Sequence, residues 1–354
     1  MNNSVIISPL LAANNVCIAY DGKQIIKAAN FELEDGQIIS LLGPSGCGKS
    51  TLLRAIAGFE PLTEGSIAML DKTLSNQYLQ IAPELRQIGL VFQDLALFPH
   101  LSIADNIRFG IQKWSQKDQT ERVKKMLDLV GMTGMENRFP HSLSGGQQQR
   151  IALARAIAPQ PKLLLMDEPF SGLDAAMRAE LVPEVREILL QEKISAILVT
   201  HDQIEAFAIA DKIAIMQQGE IQQFDKPFNI YHKPKNRFVA DFIGTGKFIP
   251  ALVLDKTTID CALGKLSNEK PHQFDIGQTI EVLIRPDDVL HNDDSDIVVE
   301  ILSKKFRGSH FLYLVKITDD CSLYCFASSH HDHAIGEKIG IDLDLDHLVL
   351  FAKE

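Results

Sequence analysis

Residues 43–50 read Gly43-Pro44-Ser45-Gly46-Cys47-Gly48-Lys49-Ser50 and fit the pattern G-x-x-x-x-G-K-[ST]. In front of them lies Ile38 to Leu42, a short apolar run of buried-strand type. Behind them, Leu52 to Ala57 continue as a helix. Strand, glycine loop and helix form the context that a phosphate-binding loop requires. Glycines let backbone N–H groups turn inward toward phosphate oxygens, and the helix N-terminus adds the positive end of its dipole. Lys49 is placed to reach the β- and γ-phosphates and the Ser50 hydroxyl to ligate Mg²⁺, while Thr51 closes the glycine-rich stretch. Cys47 reads as a small filler of the loop rather than a nucleophile. The plain alternative is a glycine turn before a helix; an eight-residue match in this context weighs against it.

Working outward, Leu163-Leu164-Leu165-Met166-Asp167-Glu168-Pro169 puts two acids at the end of an apolar strand. Asp167 is expected to hold Mg²⁺ through water and Glu168 to polarise the attacking water or accept its proton. Alone this could be a surface turn; beside a phosphate loop it reads as catalytic. Leu143-Ser144-Gly145-Gly146-Gln147 opens a helix that includes Arg150, Ala152 and Ala154. Ser144 is a good N-cap, and the two glycines leave helix-end N–H groups open to an anion. One helix N-terminus is already assigned to phosphates, so a second suggests a second phosphate contact, not necessarily in the same subunit.

Short apolar runs at Ile88 to Phe92, Ala196 to Thr200 and Lys212 to Met216 alternate with helical patterns at Ala175 to Glu192 and Gln203 to Ala210. Alternation of this kind argues for a mainly parallel sheet covered on both faces. The stretch from Asp94 to Pro161 is helical in pattern; Val123, Met126, Leu127 and Val130 recur at spacings of three and four. After Gly246 the texture becomes short β-rich runs, at Ile280 to Ile284, Ile297 to Leu302, Phe311 to Ile317, Leu323 to Phe326 and Ile339 to Leu343. They predict a small antiparallel barrel.

Composition agrees with two domains. Residues 1–244 carry 27 acidic and 24 basic side chains, whereas residues 245–354 carry 19 and 11, together with seven of the 11 histidines. The shift supports a boundary near Gly244-Thr245-Gly246. A chain of net charge −11 makes a poor non-specific nucleic-acid binder. No stretch reaches the roughly 18 apolar residues of a membrane span. Met1 to Ala13 has no Lys or Arg ahead of its apolar residues, so it makes a poor leader. Five cysteines, an odd number without an export signal, read as reduced thiols.

Taken together, these residues resemble the ATP-binding subunits of ABC transporters over positions 15–240. Leu143 to Gln147 matches the family's signature motif, and the run on to Arg150 fits the importer form. Tyr20 matches the aromatic that stacks on adenine, Gln93 the Q-loop glutamine that senses Mg²⁺ and the membrane partner, Ser171-Gly172-Leu173-Asp174 the D-loop, and His201 the switch histidine at the γ-phosphate. Singly, Tyr20 would read as a strand residue and His201 as a core histidine; it is the joint pattern that is specific.

The resemblance implies an α/β P-loop NTPase cassette over residues 1–243, with a mixed sheet and a helical subdomain at about 94–160. A β-rich, barrel-like regulatory or dimerisation domain follows over 244–354. It implies a catalytic set of Glu168, His201 and Gln93, and Mg²⁺ held by Ser50, Gln93 and Asp167. The nucleotide set is Tyr20, Gly43 to Thr51, Ser144, Gly145, Gly146, Gln147 and Asp174. It also implies a head-to-tail homodimer in which ATP on one phosphate loop is closed over by Ser144 to Gln147 of the other copy. Integral membrane permease subunits would be direct partners, docking near Leu95 to Leu101. A periplasmic solute-binding protein would be an indirect partner, and no nucleic acid would be bound. The place would be the cytoplasmic face of a bacterial inner membrane, as a peripheral subunit.

Ile284-Arg285-Pro286-Asp287-Asp288-Val289 resembles a motif of the importer barrel domain. Non-transport members of the family fit less well: the chain has one phosphate loop and no long heptad segment between its motifs. For cargo, Phe242 to Phe248, Cys261 to Gly264 and the short C-terminal domain look most like the ferric-ion importers, with polyamines, sulfate, molybdate and sugars as alternatives. Cys321 and Cys325 precede His330, His331 and His333, a donor set suited to Zn or Fe. Two thiols on one face of a strand and a solvated histidine loop are the preferred reading of that cluster.

Overall fold

The computed structural model describes residues 8–345 and 347–353. Residues 1–7, half of the stretch on which the leader reading rests, lie outside them. The chain divides into two compact units, residues 1–227 and 228–354. Among the described residues, no helix is long and apolar enough to cross a membrane.

The first unit carries strands β1 (Leu11–Tyr20), β2 (Lys23–Leu33), β3 (Ile38–Leu42), β4 (Glu64–Met69), β5 (Lys72–Asn76), β6 (Ile88–Val91), β7 (Leu163–Asp167), β8 (Ser195–Thr200), β9 (Lys212–Gln217) and β10 (Glu220–Asp225). Its helices are α1 (Lys49–Ala57), α2 (Ile103–Arg108), α3 (Gln116–Leu129), α4 (Gly145–Ile157), α5 (Ala175–Glu192) and α6 (Gln203–Ile209). Helix α7 (Pro227–His232) opens at the division.

Two sheets form. One is antiparallel, in the order β2-β1-β4-β5; the other has the order β10-β9-β3-β8-β7-β6, with β9, β3, β8, β7 and β6 parallel and β10 antiparallel at the edge. Strands β3 and β8 are buried at every residue. That is the signature of parallel strands covered on both faces, and it is why they read as unbroken apolar runs. Leu52, Leu53 and Ile56 of α1 share one core with Val16, Ile18, Ile26 and Ile67 of the antiparallel sheet and with Ile39, Leu165 and Ile197 of the parallel one. The helix behind the phosphate loop is thus clamped from both sides.

Between β6 and β7 run α2, α3 and α4. Ser102 and Ser115 cap α2 and α3 by accepting from the N–H groups of Asp105 and Asp118. Val123, Met126 and Leu127 of α3 are buried, the face its spacing predicts.

The second unit adds α8 (Arg237–Ile243), β11 (Lys247–Val253), β12 (Thr258–Cys261), β13 (Gly264–Ser267), β14 (Thr279–Ile284), β15 (Val289–His291), β16 (Val298–Phe306), β17 (His310–Thr318), β18 (Cys321–Ser328), β19 (Lys338–Leu343) and β20 (Val349–Ala352). Strands β15-β18-β17-β16-β19 close into a small barrel, and β13-β12-β11-β14-β20 form an antiparallel sheet. The barrel is not wholly antiparallel: β15 meets β18 in parallel, at the single pair Leu290–Phe326.

Residues 228–243 pack with this unit. Arg285, 4% exposed, donates to the carbonyls of Tyr231 (3.2 Å) and Ala240 (3.4 Å) and lies over the Tyr231 ring. Tyr231 donates to Asp287 at 2.7 Å, and Arg237 pairs with Glu281. The Gly244-Thr245-Gly246 stretch therefore lies inside the second unit. Cys321 and Cys325 point into the barrel core among Leu323, Val315 and Ile301, while His330 to His333 lie beyond the end of β18. The fold separates the thiols from the imidazoles that follow them in sequence.

Candidate functional site

Parallel strands deliver their C-terminal ends to one edge of the sheet, the place where open α/β sheets bind ligands. The loop 43–48 leaves β3 there, Asp167 ends β7 with Glu168 next, His201 follows β8, and Gln93 lies two residues past β6. Strands β3, β8, β7 and β6 are consecutive neighbours, so residues more than 150 positions apart in sequence arrive together.

The phosphate loop is tightly built. At Gly43 a Cβ would sit 2.3 Å from the Met216 carbonyl, and Gly48 has φ +104°, where a Cβ would stand 2.5 Å from Ile26 Cδ1. No other residue type fits either position without displacement. Lys49 is 5% exposed and has no acidic partner among the described residues; its ammonium donates to the Gly43 (2.8 Å) and Pro44 (3.0 Å) carbonyls. A buried cation turned onto its own loop is poised for an anion. Burial pushes the Cys47 thiol up, against the pull of Lys49, which keeps it protonated and inert. Ser45, Gly46, Gly48, Lys49, Ser50 and Thr51 line a cavity of about 210 Å³ that Glu168 closes.

Ser50 Oγ donates to Asp167 Oδ1 at 2.8 Å. Burial pushes the Asp167 carboxyl up, with the like charge of Glu168 adding to it, while the Ser50 hydrogen bond and nearby Arg54 and Lys49 oppose. Asp167, Gln93, Ser171 and Gly172 line a second cavity of about 590 Å³. Hydroxyl, carboxylate and amide oxygens on adjoining walls are the hard donors that Mg²⁺ prefers. Glu168 Oε1 lies 3.3 Å from His201 Nδ1. Its backbone sits at φ +43°, in the left-handed region, with its N–H on the Val199 carbonyl (2.9 Å) and its carbonyl receiving Ser171 Oγ (3.0 Å). Such a conformation costs about 1–2 kcal/mol in a residue with a Cβ. Tyr20 ends β1 and is 41% exposed. Burial and the Glu60 carboxylate push its hydroxyl up to about 12.

Ser144 caps α4 in a reciprocal box: its Oγ accepts from Gln147 N–H (3.4 Å) and its own N–H donates to Gln147 Oε1 (3.1 Å). No residue of 143–147 is among those lining the two cavities at the phosphate loop. Gly145 and Gly146 instead approach Leu173 and Met177, where Asp174 caps α5. The expected residues thus form two groups: one gathered around the phosphate loop, the other, Ser144 to Gln147 with Asp174, at the N-termini of α4 and α5.

Sequence reading did not single out Arg155. It donates to the carbonyls of Ala96 (2.6 Å) and Leu95 (2.7 Å), two consecutive residues at positive φ (+45° and +60°), and lies over the Phe98 ring. With Asn106, which accepts from the Phe98 N–H and donates to the Phe98 and Leu101 carbonyls, it holds the segment after Gln93 in a strained path, and an arginine in the middle of a helical pattern gave no sign of it.

Residues 26–171 match the ABC transporter family and residues 282–351 the TOBE domain. A spermidine/putrescine import ATP-binding protein of Clostridium novyi (strain NT) is 42% identical over 314 residues, covering 88% of this chain and 89% of that one. An Fe(3+) ions import ATP-binding protein of Haemophilus influenzae is 41% identical over 294 residues, 79% and 83% of the two chains. Among solved structures, a dimeric ATP-binding cassette in a post-hydrolysis state with ADP and Pi superposes with a TM-score of 0.54 at 28% identity, covering 61% of this chain and 98% of that one.

Proposed function

The chain belongs to the ATP-binding subunits of ABC importers, and from that membership we propose that it works as one half of a head-to-tail dimer docked on membrane permease subunits. It hydrolyses ATP, as subunits of this family do. The observation that carries the residue roles is the convergence of Lys49, Ser50, Asp167, Glu168 and His201 at the ends of three neighbouring strands.

In this reading the backbone N–H groups of Ser45 to Ser50 receive the β- and γ-phosphates, and Lys49 swings from its loop carbonyls onto them. Ser50 and Asp167, already in contact, hold Mg²⁺, with Gln93 facing the same space. Bound there, the ion neutralises charge on the phosphate oxygens. Glu168 orients the attacking water and takes its proton, and His201, in reach of Glu168, meets the γ-phosphate. Tyr20 offers its exposed face to adenine.

Ser144 to Gln147 and Asp174 lie outside both cavities, so they serve the nucleotide of the partner copy. Two such sites form across one isologous interface. ATP closes it and hydrolysis reopens it, which transmits force through the segment after Gln93 to a permease. Most of the rate comes from positioning and charge neutralisation. The peripheral place on the cytoplasmic face of an inner membrane follows from that partnership.

For cargo, the fuller coverage of the polyamine-importer relatives favours a polyamine such as spermidine, with ferric ion as the second reading. Reconstitution with a polyamine-type and, separately, a ferric-ion-type permease and binding protein tests this directly. ATP-dependent uptake of labelled spermidine, with none of ferric ion, is the expected result; the reverse pattern overturns the choice.

A further inference from the structure

The C-terminal barrel gathers three histidines from separate places in the chain. His291 ends β15; His331 and His333 follow β18. One ligand atom from each lies within 4.8 Å of the other two. Asp293 joins them, with Oδ1 3.0 Å from His291 Nε2 and Oδ2 3.9 Å from His331 Nδ1.

The cluster is built rather than casual. Tyr313, fully buried, donates its hydroxyl to the His331 carbonyl (2.6 Å) and accepts the His333 N–H (3.0 Å), so one side chain positions both residues. Lys304 fixes the same turn from the other side, donating to Asp332 (2.6 Å) and to the His333 carbonyl (3.0 Å). His333 Nδ1 lies 2.8 Å from Glu337 Oε1, which orients the ring and leaves Nε2 facing inward. That Nε2 is buried and has no hydrogen-bond partner among the described residues. His291 Nε2 is also buried and makes no aligned hydrogen bond, despite its approach to Asp293. Two buried, unsatisfied imidazole nitrogens are costly unless something fills the space between them.

We propose that His291, His331 and His333, with Asp293 as fourth donor, bind one divalent transition-metal ion of the zinc class. Three imidazoles and a carboxylate suit Zn²⁺ and its first-row neighbours; Mg²⁺ and Ca²⁺ prefer all-oxygen sets. Glu337 behind His333 is the carboxylate–histidine arrangement that orients metal ligands. Tetrahedral nitrogens on zinc stand about 3.4 Å apart, so the rings must close by little more than 1 Å. His291 and His331 border a cavity of about 470 Å³, which gives an ion access. The site would also join β15 to the chain beyond β18 beside the single pair that closes the barrel. Cys321, Cys325 and His330 take no part: the thiols face the core, and His330 is not in the cluster.

The test uses the full-length chain, tag removed, stripped with chelator and free of nucleotide. Titration with Co²⁺ is expected to give the visible bands of a tetrahedral site at one ion per chain, displaced by Zn²⁺. His331→Gln and His333→Gln should each weaken binding by at least tenfold, and Glu337→Gln by about tenfold. His330→Gln should not alter it. His331 is surface-accessible, so its variant remains informative if loss of a buried ring unfolds the barrel. Zn²⁺ should also slow hydrogen exchange at 289–291 and 325–333 in the native chain and not in His331→Gln. Absence of bands with excess Co²⁺, their persistence in both histidine variants, or a thiolate charge-transfer band assigning the ion to cysteine would each overturn the proposal.

Discussion

Ser50 Oγ hydrogen-bonds Asp167 Oδ1 at 2.8 Å, joining the start of α1 to the end of β7 across 117 residues of sequence. The contact brings together the two groups expected to share Mg²⁺. Asp167→Asn should keep affinity for ATP in chelator and lose the gain that Mg²⁺ adds. Turnover should drop by about 100-fold or more, as for removal of one preorganised electrostatic group. Comparing nucleotide titrations with and without Mg²⁺ checks this; an undiminished Mg²⁺ gain would separate Asp167 from the ion.

Glu168→Gln should bind ATP normally while hydrolysis falls by about 10²–10⁴-fold, the range for a general base. With hydrolysis stalled, ATP should hold the chain as a dimer in light scattering. A native turnover rate in this variant would falsify the role given to Glu168.

Arg155→Ala should release the segment after Gln93. Two hydrogen bonds from a charged donor to the Leu95 and Ala96 carbonyls are lost, each worth about 1.5–3 kcal/mol. Amide exchange over residues 93–101 should accelerate at least tenfold, with the parallel sheet unaffected. Equal protection in both proteins would mean that Asn106, which holds Phe98 and Leu101, fixes the segment alone.

Burial, with the like charge of Asp287, pushes the Asp288 carboxyl up to about 6. The folded second unit therefore holds this proton more tightly than the unfolded chain does. Its contribution is complete below the ordinary carboxylate value and is lost as pH rises through about 4 to 6. Asp288→Asn removes that loss. Relative to the native chain, the variant should gain up to about 3 kcal/mol in barrel stability between pH 4 and pH 7. Hydrogen exchange of β16 and β17 at the two pH values measures it; a pH-independent difference would clear Asp288 of the effect.

The parallel sheet was legible because strands such as β3 and β8, buried on both faces, leave unbroken apolar runs. The antiparallel sheet beside it was not. Its strand β1 contains Asn14-Asn15, with Asn15 at φ +48° and register shifts between Ala13 and Val16, and such irregularity erases the two-residue alternation. In the second unit the runs at β14 and β16 to β19 were readable, whereas β12, β13, β15 and β20 are too short to show a pattern. The phosphate-loop group was legible because its chemistry is local: Gly43 to Thr51 and Asp167-Glu168 each carry their meaning in adjacent residues. His291 was not, since it stands 40 positions before His331 and only the parallel pairing of β15 with β18 brings them together. The cysteines show the converse: they are near the imidazoles in sequence, yet the preferred reading of two thiols on one strand face agrees with their place in the barrel core.

The left-handed backbone at Glu168 carries an implication for laboratory evolution. Glu168→Gly would relieve the strained φ of +43° at the very position proposed to take the proton of the attacking water. A library screened for heat resistance alone should therefore enrich inactive chains at this position, so any stabilisation campaign needs a turnover assay at every round.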